Sequence, residues 1–253
     1  MLLFRGAPPH DTLKNMPNDI LNGIVLRMTD YRESDRILNV LTRERGLVAV
    51  TARGCRKPKS KLAAFASPFV YGEMEVNERL GKLQLSGAAV LESFYPIRES
   101  YEQLVSASCA VSAVAHLAPR ETPNDDLFVL LYNTLSLIAY GENDPMDVEL
   151  CFWAKLFKIE GVAPTLTYCL KCGRDLRAEK EVRFSNSLGG SVCEACGSAF
   201  KAVSTLSLEA LRRMMLIDVN EMRRVRLPEK VRAELTSLIY SYAEYALDFT
   251  VKR

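Results

Sequence analysis

No apolar run in this chain reaches the roughly 18 residues that a membrane-crossing helix needs. Nothing in it repeats or collapses into a biased tract. The first nine residues, Met1-Leu-Leu-Phe-Arg-Gly-Ala-Pro-Pro9, lack the continuous apolar core of a secretion signal, because Arg5 and the two prolines interrupt it. The expected compartment is the cytoplasm. Histidine is scarce. His10 lies in a proline-punctuated lead and His116 ends an apolar stretch, where a core or capping role fits better than catalysis. There is no Gly-x-x-x-x-Gly-Lys-Ser/Thr phosphate loop, no Ser, His and Asp grouping, and no carboxylate cluster. No enzymatic constellation stands out.

What the sequence does hold is a cationic stretch, Thr51-Ala-Arg-Gly-Cys-Arg-Lys-Pro-Lys-Ser-Lys61. Arg53, Arg56, Lys57, Lys59 and Lys61 crowd together there with no acid among them. Gly54 and Pro58 break a helix, so these cations belong to a loop. The loop follows Gly46-Leu-Val-Ala-Val50, which reads as a half-buried strand. A mobile basic loop thrown off a sheet suits a phosphate backbone, since each cation that displaces condensed counterions adds affinity without regard to sequence. The competing reading is a solvated loop that happens to be basic.

The net charge of +2 hides a division along the chain. Residues 1–95 carry 14 basic and 10 acidic side chains, residues 96–160 carry 4 and 10, and residues 161–253 carry 15 and 11. Two basic ends flank an acidic middle, which suits an anionic ligand held by the ends.

The 253 residues accommodate one large domain or two ordinary ones. Residues 1–20 read as a poorly ordered lead, punctuated by Pro8, Pro9 and Pro17. Five short strands are expected over residues 21–95, around Ile24–Leu26, Ile37–Thr42, Gly46–Val50, Phe69–Val76 and Leu83–Leu91, with Asp30–Asp35 as a turn. Strands joined by such tight turns suggest a small barrel. The five-stranded OB-fold is the natural candidate, although the pattern alone does not separate it from an SH3-like barrel. After Pro96 the periodicity becomes helical. Helices are expected at Tyr101–Leu117, Asp125–Tyr140, Asp147–Glu160, Ser207–Ile217 and Pro228–Phe249, so residues 96–253 read as a helical domain. The fold class is therefore multi-domain α+β.

That helical part is interrupted by a small module at residues 166–200. Cys169-Leu-Lys-Cys172-Gly and Cys193-Glu-Ala-Cys196-Gly are matching knuckles, and the glycine after each pair allows a tight turn. Two Cys-x-x-Cys pairs let four thiolates converge on one ion as a closed tetrahedral zinc site, structural because no position remains for a catalytic water. Four free or redox-active cysteines are the alternative, but a thioredoxin-like motif needs one pair at a helix start. Phe184–Gly190, between the knuckles, has the look of a short hairpin.

Four segments carry a resemblance. Gly23-Ile-Val-Leu-Arg27, Asp30-Tyr-Arg-Glu-Ser-Asp-Arg-Ile-Leu38, Leu41-Thr-Arg-Glu-Arg-Gly46 and Ala52-Arg-Gly-Cys-Arg-Lys-Pro-Lys-Ser60 closely resemble the bacterial RecO family of DNA repair and recombination mediators. The order of parts agrees over nearly the whole chain, the first 20 residues apart. The resemblance implies an OB-fold that binds single- and double-stranded DNA, and a protein that anneals complementary strands. It also implies work with RecR, and in some bacteria RecF, to load RecA onto DNA coated by the single-strand binding protein SSB, whose acidic tail is a further contact. It implies no chemical step, membrane or small-molecule substrate, and a setting at the nucleoid. Some members lack the cysteines, so the metal is not central to the activity.

Carried over residue by residue, Arg53, Arg56, Lys57, Lys59 and Lys61 match the family's basic loop and are the first candidates for phosphate contacts. Arg27, Arg32 and Arg36 lie in the matching strand and turn and join the same groove, unless they pair with Asp30, Glu33 and Asp35. Arg212, Arg213, Arg223, Arg224 and Arg226 extend the DNA path, meet the SSB tail, or simply coat a helix. Tyr31 and Tyr71 are candidates for stacking on bases, with packing favoured for Tyr71. Cys55 is given no role. The rival function is a zinc-containing adaptor that binds SSB or RecR with only incidental DNA contact.

Overall fold

The computed structural model describes residues 19–251. The expected N-terminal lead falls outside the described residues except for Asp19 and Ile20, which open the first strand. Five strands, β1 (Asp19–Tyr31), β2 (Asp35–Thr42), β3 (Gly46–Ala52), β4 (Tyr71–Arg79) and β5 (Lys82–Glu92), close into a barrel of order β1-β2-β3-β5-β4. The first strand is long because it serves two neighbours. Its first half pairs with β4 and its second half with β2. Closure on the other side needs only a short parallel contact, Val50 with Leu83 and Thr51 with Gln84. This strand order, with its one parallel seam, is that of the OB-type Greek-key barrel, which decides between the two barrels that the pattern left open.

The run Ile24-Val25-Leu26 shows how the barrel meets the rest of the chain. A register shift between Val25 and Arg27 places an extra residue in β1. Val25 points into the barrel core with Leu38, Val40, Val50 and Met74. Ile24 and Leu26 point the other way, into a second core shared with the helices. Apolar residues on both faces are what a strand buried on both faces requires.

The helical part comprises α1 (Tyr101–Leu117), α2 (Asp125–Tyr140), α3 (Pro145–Ile159), α5 (Thr205–Leu216) and α6 (Glu229–Leu247). Side chains cap several starts: Ser100 accepts from the Gln103 amide, Asn124 from Leu127, and Asp144 from Met146. Residues 147–157 of α3 are all buried, so this helix is the axis of the domain. It carries Asp147, whose carboxylate receives the Arg232 guanidinium of α6 at 2.7 Å. The inserted module is a three-stranded sheet, β7-β6-β8, built from β6 (Glu181–Ser185), β7 (Gly190–Val192) and β8 (Lys201–Ser204). The hairpin expected at 184–190 is the β6–β7 connection, while β8 went unforeseen.

Barrel and helices share an interface. Tyr71 stands edge-on to Phe128 and Tyr132, with ring centroids 6.2 and 5.1 Å away, so it packs rather than stacking on a ligand. Arg98 donates to the carbonyls of Ser93 and Pro68 and lies over the Phe69 ring. No described helix is long and apolar enough to cross a membrane.

Candidate nucleic-acid interface and metal centre

The cationic loop leaves β3 at Ala52 and runs through consecutive turns to β4. It is not the freely swinging loop that its composition suggested. The Asp35 carboxylate accepts the Gly54 amide at 2.8 Å, and the Ser34 carbonyl accepts the Arg56 amide at 3.0 Å. Further amide-to-carbonyl bonds, Lys57 to Gly54 and Ser60 to Lys57, fold the tip back on itself. Cys55, given no role above, is buried with Phe65 and Ala66 in the barrel core and anchors the loop from below. Burial raises its thiol pKa, as befits a packing residue rather than a nucleophile.

This anchoring leaves the cations outside. Arg53, Arg56, Lys57, Lys59 and Lys61 are all exposed. Among the described residues none of Arg53, Lys57, Lys59 and Lys61 forms a direct ion pair, while Arg56 meets Asp30 at 3.5 Å. Arg36 is half-buried and occupied, with one bond to Asp30 at 3.0 Å and one to the Ala66 carbonyl at 2.9 Å. It fastens the far end of the loop to the strand. Arg27 is exposed on β1, and Arg32 projects from the β1–β2 turn over the Tyr31 ring at 5.1 Å. The Gly54 amide bond, reinforced by Arg32 and Arg53 nearby, lowers the pKa of Asp35.

The outer faces of β2 and β3 floor a groove of about 610 Å³ beside this loop, lined by Ile37, Asn39, Ala49 and Thr51. Four cations border it, Arg32 from the β1–β2 turn, Arg53 from the basic loop, Lys82 at the start of β5 and Arg120 from the α1–α2 connection, against two acids, Asp35 and Glu121. In OB-type barrels this face and the β1–β2 and β4–β5 loops are where oligonucleotides are held. Sequence reasoning missed Lys82 and Arg120. Lys82 opens β5 directly after the turn at Leu80-Gly81, and strand order would have flagged it. Arg120 carries no local signal. A backbone bridge from the connection to Leu47 brings it there, with the Leu47 amide donating to Pro119 at 3.3 Å.

The second site is the cysteine cluster. The sulfurs of Cys169, Cys172, Cys193 and Cys196 lie within 4.8 Å of one another, with Cys172 and Cys193 3.7 Å apart. Four sulfurs about 2.3 Å from a central tetrahedral ion would stand about 3.8 Å apart, so the cluster fits such an ion. The first knuckle closes through the Gly173 amide donating to the Cys169 carbonyl at 2.8 Å, with Gly173 in the left-handed region at φ 74°. The second works differently from expectation. Gly197 ends the short helix α4 (Glu194–Gly197), where a side chain would collide with Val192 and Phe200, so close packing rather than turn geometry requires glycine. Burial works against the Cys169 thiolate, yet the amides of Cys193, Cys172 and Lys171 bring its pKa down to about 6. Hydrogen bonds to Cys193 and Cys172 push Cys196 up to about 12. Thiols this close resist ionising together, and a bound cation resolves the conflict.

A barrel of OB type with a cation-bordered face, sharing a core with a helical domain that carries a four-cysteine cluster able to hold a metal, defines a two-part protein class. The comparisons give that class its family. A model described as Recombination protein O N terminal matches residues 16–94, and one described as Recombination protein O C terminal matches residues 98–253. The DNA repair protein RecO of Desulforamulus reducens is 32% identical over 235 residues, covering 92% of this chain and 91% of the relative. That of Symbiobacterium thermophilum is 30% identical, covering 88% and 89%. That of Rubrobacter xylanophilus is 35% identical over 176 residues, 70% of each chain. This chain belongs to the RecO family of DNA repair proteins.

Proposed function

We propose that this chain is a non-enzymatic recombination mediator that binds DNA through the barrel, anneals complementary single strands, and with RecR helps load RecA onto SSB-coated DNA. The observation that carries the reading is the convergence on the OB face of cations from separate segments, Arg32, Arg53, Lys82 and Arg120, none of them in an ion pair among the described residues. Two strands that repel each other approach when fixed lysines and arginines replace their diffuse counterions, and base pairing then proceeds unaided. In this reading Arg27, Arg32, Arg53, Arg56, Lys57, Lys59, Lys61, Lys82 and Arg120 contact phosphates, while Arg36 contributes charge and holds the loop in place. Residues 21–95 serve as the DNA-binding unit and 96–253 as the partner-binding unit, working at the nucleoid in the cytoplasm.

The cysteine module holds one structural zinc per chain, since a closed set of four thiolates leaves no open coordination position. A pocket of about 470 Å³ between α5 and α6, lined by Met214, Ile217 and Val225, carries Arg213 and Arg224 with their partners Glu209 and Glu221, so the acidic SSB tail would bind there by taking over those two arginines. RecF takes part in those bacteria that use it.

The test is fluorescence-monitored annealing of two complementary oligonucleotides, with SSB present and absent. Acceleration by the intact chain, lost in a folded Arg56→Ala, Lys57→Ala, Lys59→Ala variant, supports the mediator. No acceleration, with tight binding to an SSB-tail peptide, would favour the zinc-bearing adaptor instead.

A further inference from the structure

The four cysteines of the metal centre do not share one environment. Cys169 and Cys193 are buried and Cys196 is half-buried, while Cys172 is exposed. The two knuckles differ in the same sense. Gly197, after the second, is pressed against Val192 and Phe200, whereas a side chain at Gly173, after the first, would meet nothing within 4 Å. The exposed thiol therefore sits on the loosely packed knuckle. The Cys193 sulfur, on the firmly packed one, lies 3.7 Å from it.

The surroundings of Cys172 favour reaction with an oxidant. Lys171 and Arg174 stand exposed on either side of it in the sequence, and neither forms an ion pair among the described residues. Lys171 donates to the Cys196 carbonyl at 2.9 Å, which holds its ammonium against the module. The acids nearby are occupied, Asp175 by Arg177 and Glu194 by Arg183. A reachable sulfur flanked by cations is the kind that peroxides attack, because a neighbouring positive charge stabilises both the thiolate and the departing hydroxide. Metal ligation supplies the thiolate form.

We propose that the module is a peroxide-responsive switch, with Cys172 the residue oxidised and Cys193 the one that closes a disulfide with it. The proposal rests on the zinc reading above. In the first step the Cys172 thiolate attacks one oxygen of hydrogen peroxide. The O–O bond breaks, a sulfenic acid forms, and the departing hydroxide takes a proton to become water. In the second the Cys193 thiolate attacks that sulfur, the S–O bond breaks, and a second hydroxide leaves as water. Two thiolates, one peroxide and two protons thus give one disulfide and two waters, with two electrons passing from sulfur to peroxide. The disulfide withdraws two of the four ligands, which releases the ion. Cys169 and Cys193 belong to the helical core with Leu176, Val182 and Phe184. Phe184 stands edge-on to Tyr242 of α6 with ring centroids 5.7 Å apart, so release loosens the module's grip on that helix. The barrel keeps its own core around Val25, Leu38 and Met74 and stays folded.

The experiment treats the zinc-loaded full chain with hydrogen peroxide and follows metal release with a chromophoric chelator, disulfides by peptide mass mapping, and DNA binding. The expected result is zinc release in step with a Cys172–Cys193 cross-link, reversed by dithiothreitol with added zinc, while DNA affinity is unchanged. Cys172→His keeps a complete ligand set of three cysteines and a histidine. Its release should be at least about tenfold slower. Cys196→His retains both reacting thiols and should release zinc at the parent's rate. A parent that holds zinc and keeps it under peroxide overturns the switch and leaves the metal reading in place. A parent that holds no zinc as purified removes both. Equal release from the two histidine variants, or a parent disulfide that leaves out Cys172, overturns the assignment. If either variant fails to hold zinc, the disulfide map of the parent decides.

Discussion

The two basic ends of the chain carry the same surplus of charge and use it differently. In the barrel, Arg53, Lys57, Lys59 and Lys61 stand exposed, with no ion pair among the described residues. In the helical part, Arg212 and Arg213 share Glu209 at 2.7 and 2.9 Å, and Arg224 meets Glu221 at 2.6 Å. Arg226 turns back to the carbonyls of Arg223 and Val225. An arginine already facing a carboxylate must give up that partner to neutralise a phosphate, whereas a free lysine gives up only water. Counting charges along the sequence makes the ends equivalent; pairing them in space does not.

The difference extends to what holds each region together. The barrel closes through strand pairing and an apolar interior, while the module within the helical part gathers four cysteine sulfurs that could hold an ion. Cys172 is exposed, so Cys172→Ser removes a ligand without disturbing packing. We expect it to abolish stoichiometric metal binding and to cost roughly 3–5 kcal/mol in the helical part. DNA affinity and its salt dependence should stay as in the parent. Metal analysis with thermal unfolding checks the first point, and a DNA titration the second. A collapse of DNA binding at temperatures where the barrel remains folded would break the separation.

Replacing Lys82 and Arg120 together by Ala sharpens the comparison from the groove side. If the path crosses the β2–β3 face, the dependence of log K on log salt should flatten by roughly one and a half to two units. An unchanged slope would confine the path to the loop tip.

The smallest effect concerns the pin beneath the loop. Because the Gly54 amide holds Asp35 below the ordinary carboxylate value, the bond adds stability above the unfolded-state pKa of about 3.9 and loses it as pH falls through the lower folded value. The Gly54 amide resonance should therefore titrate with a midpoint below about 3.9. A midpoint at or above that value would mean that Asp35 does not pin the loop.

Much of this was legible where local signals suffice. Tyr101–Leu117 and Asp125–Tyr140 could be bounded from sequence because Ser100 and Asn124 cap them. The knuckles were readable because their spacing is itself the geometry. Contacts distant in sequence were not. The extension of β1 to Tyr31 overrides the polar, turn-like Asp30-Tyr31, since pairing with Asp35 and Arg36 holds them in the ladder. The basic loop read as mobile because its pins, Asp35, Ser34 and buried Cys55, are invisible in its composition. Arg120 reaches the groove only through the bridge to Leu47. Pro145, which reads as a breaker, occupies the first turn of α3, where its missing amide costs nothing.

The most direct test sets the two basic regions against each other. The salt dependence of DNA binding should be measured for the intact chain, for Arg56→Ala, Lys57→Ala, Lys59→Ala, and for Arg212→Ala, Arg213→Ala, Arg224→Ala. We predict that the barrel variant flattens the slope by roughly two to three units, nearer two because Arg56 already faces Asp30, and that the helical variant changes it by less than about one. Equal flattening in both variants, or none in the barrel variant, would contradict the account.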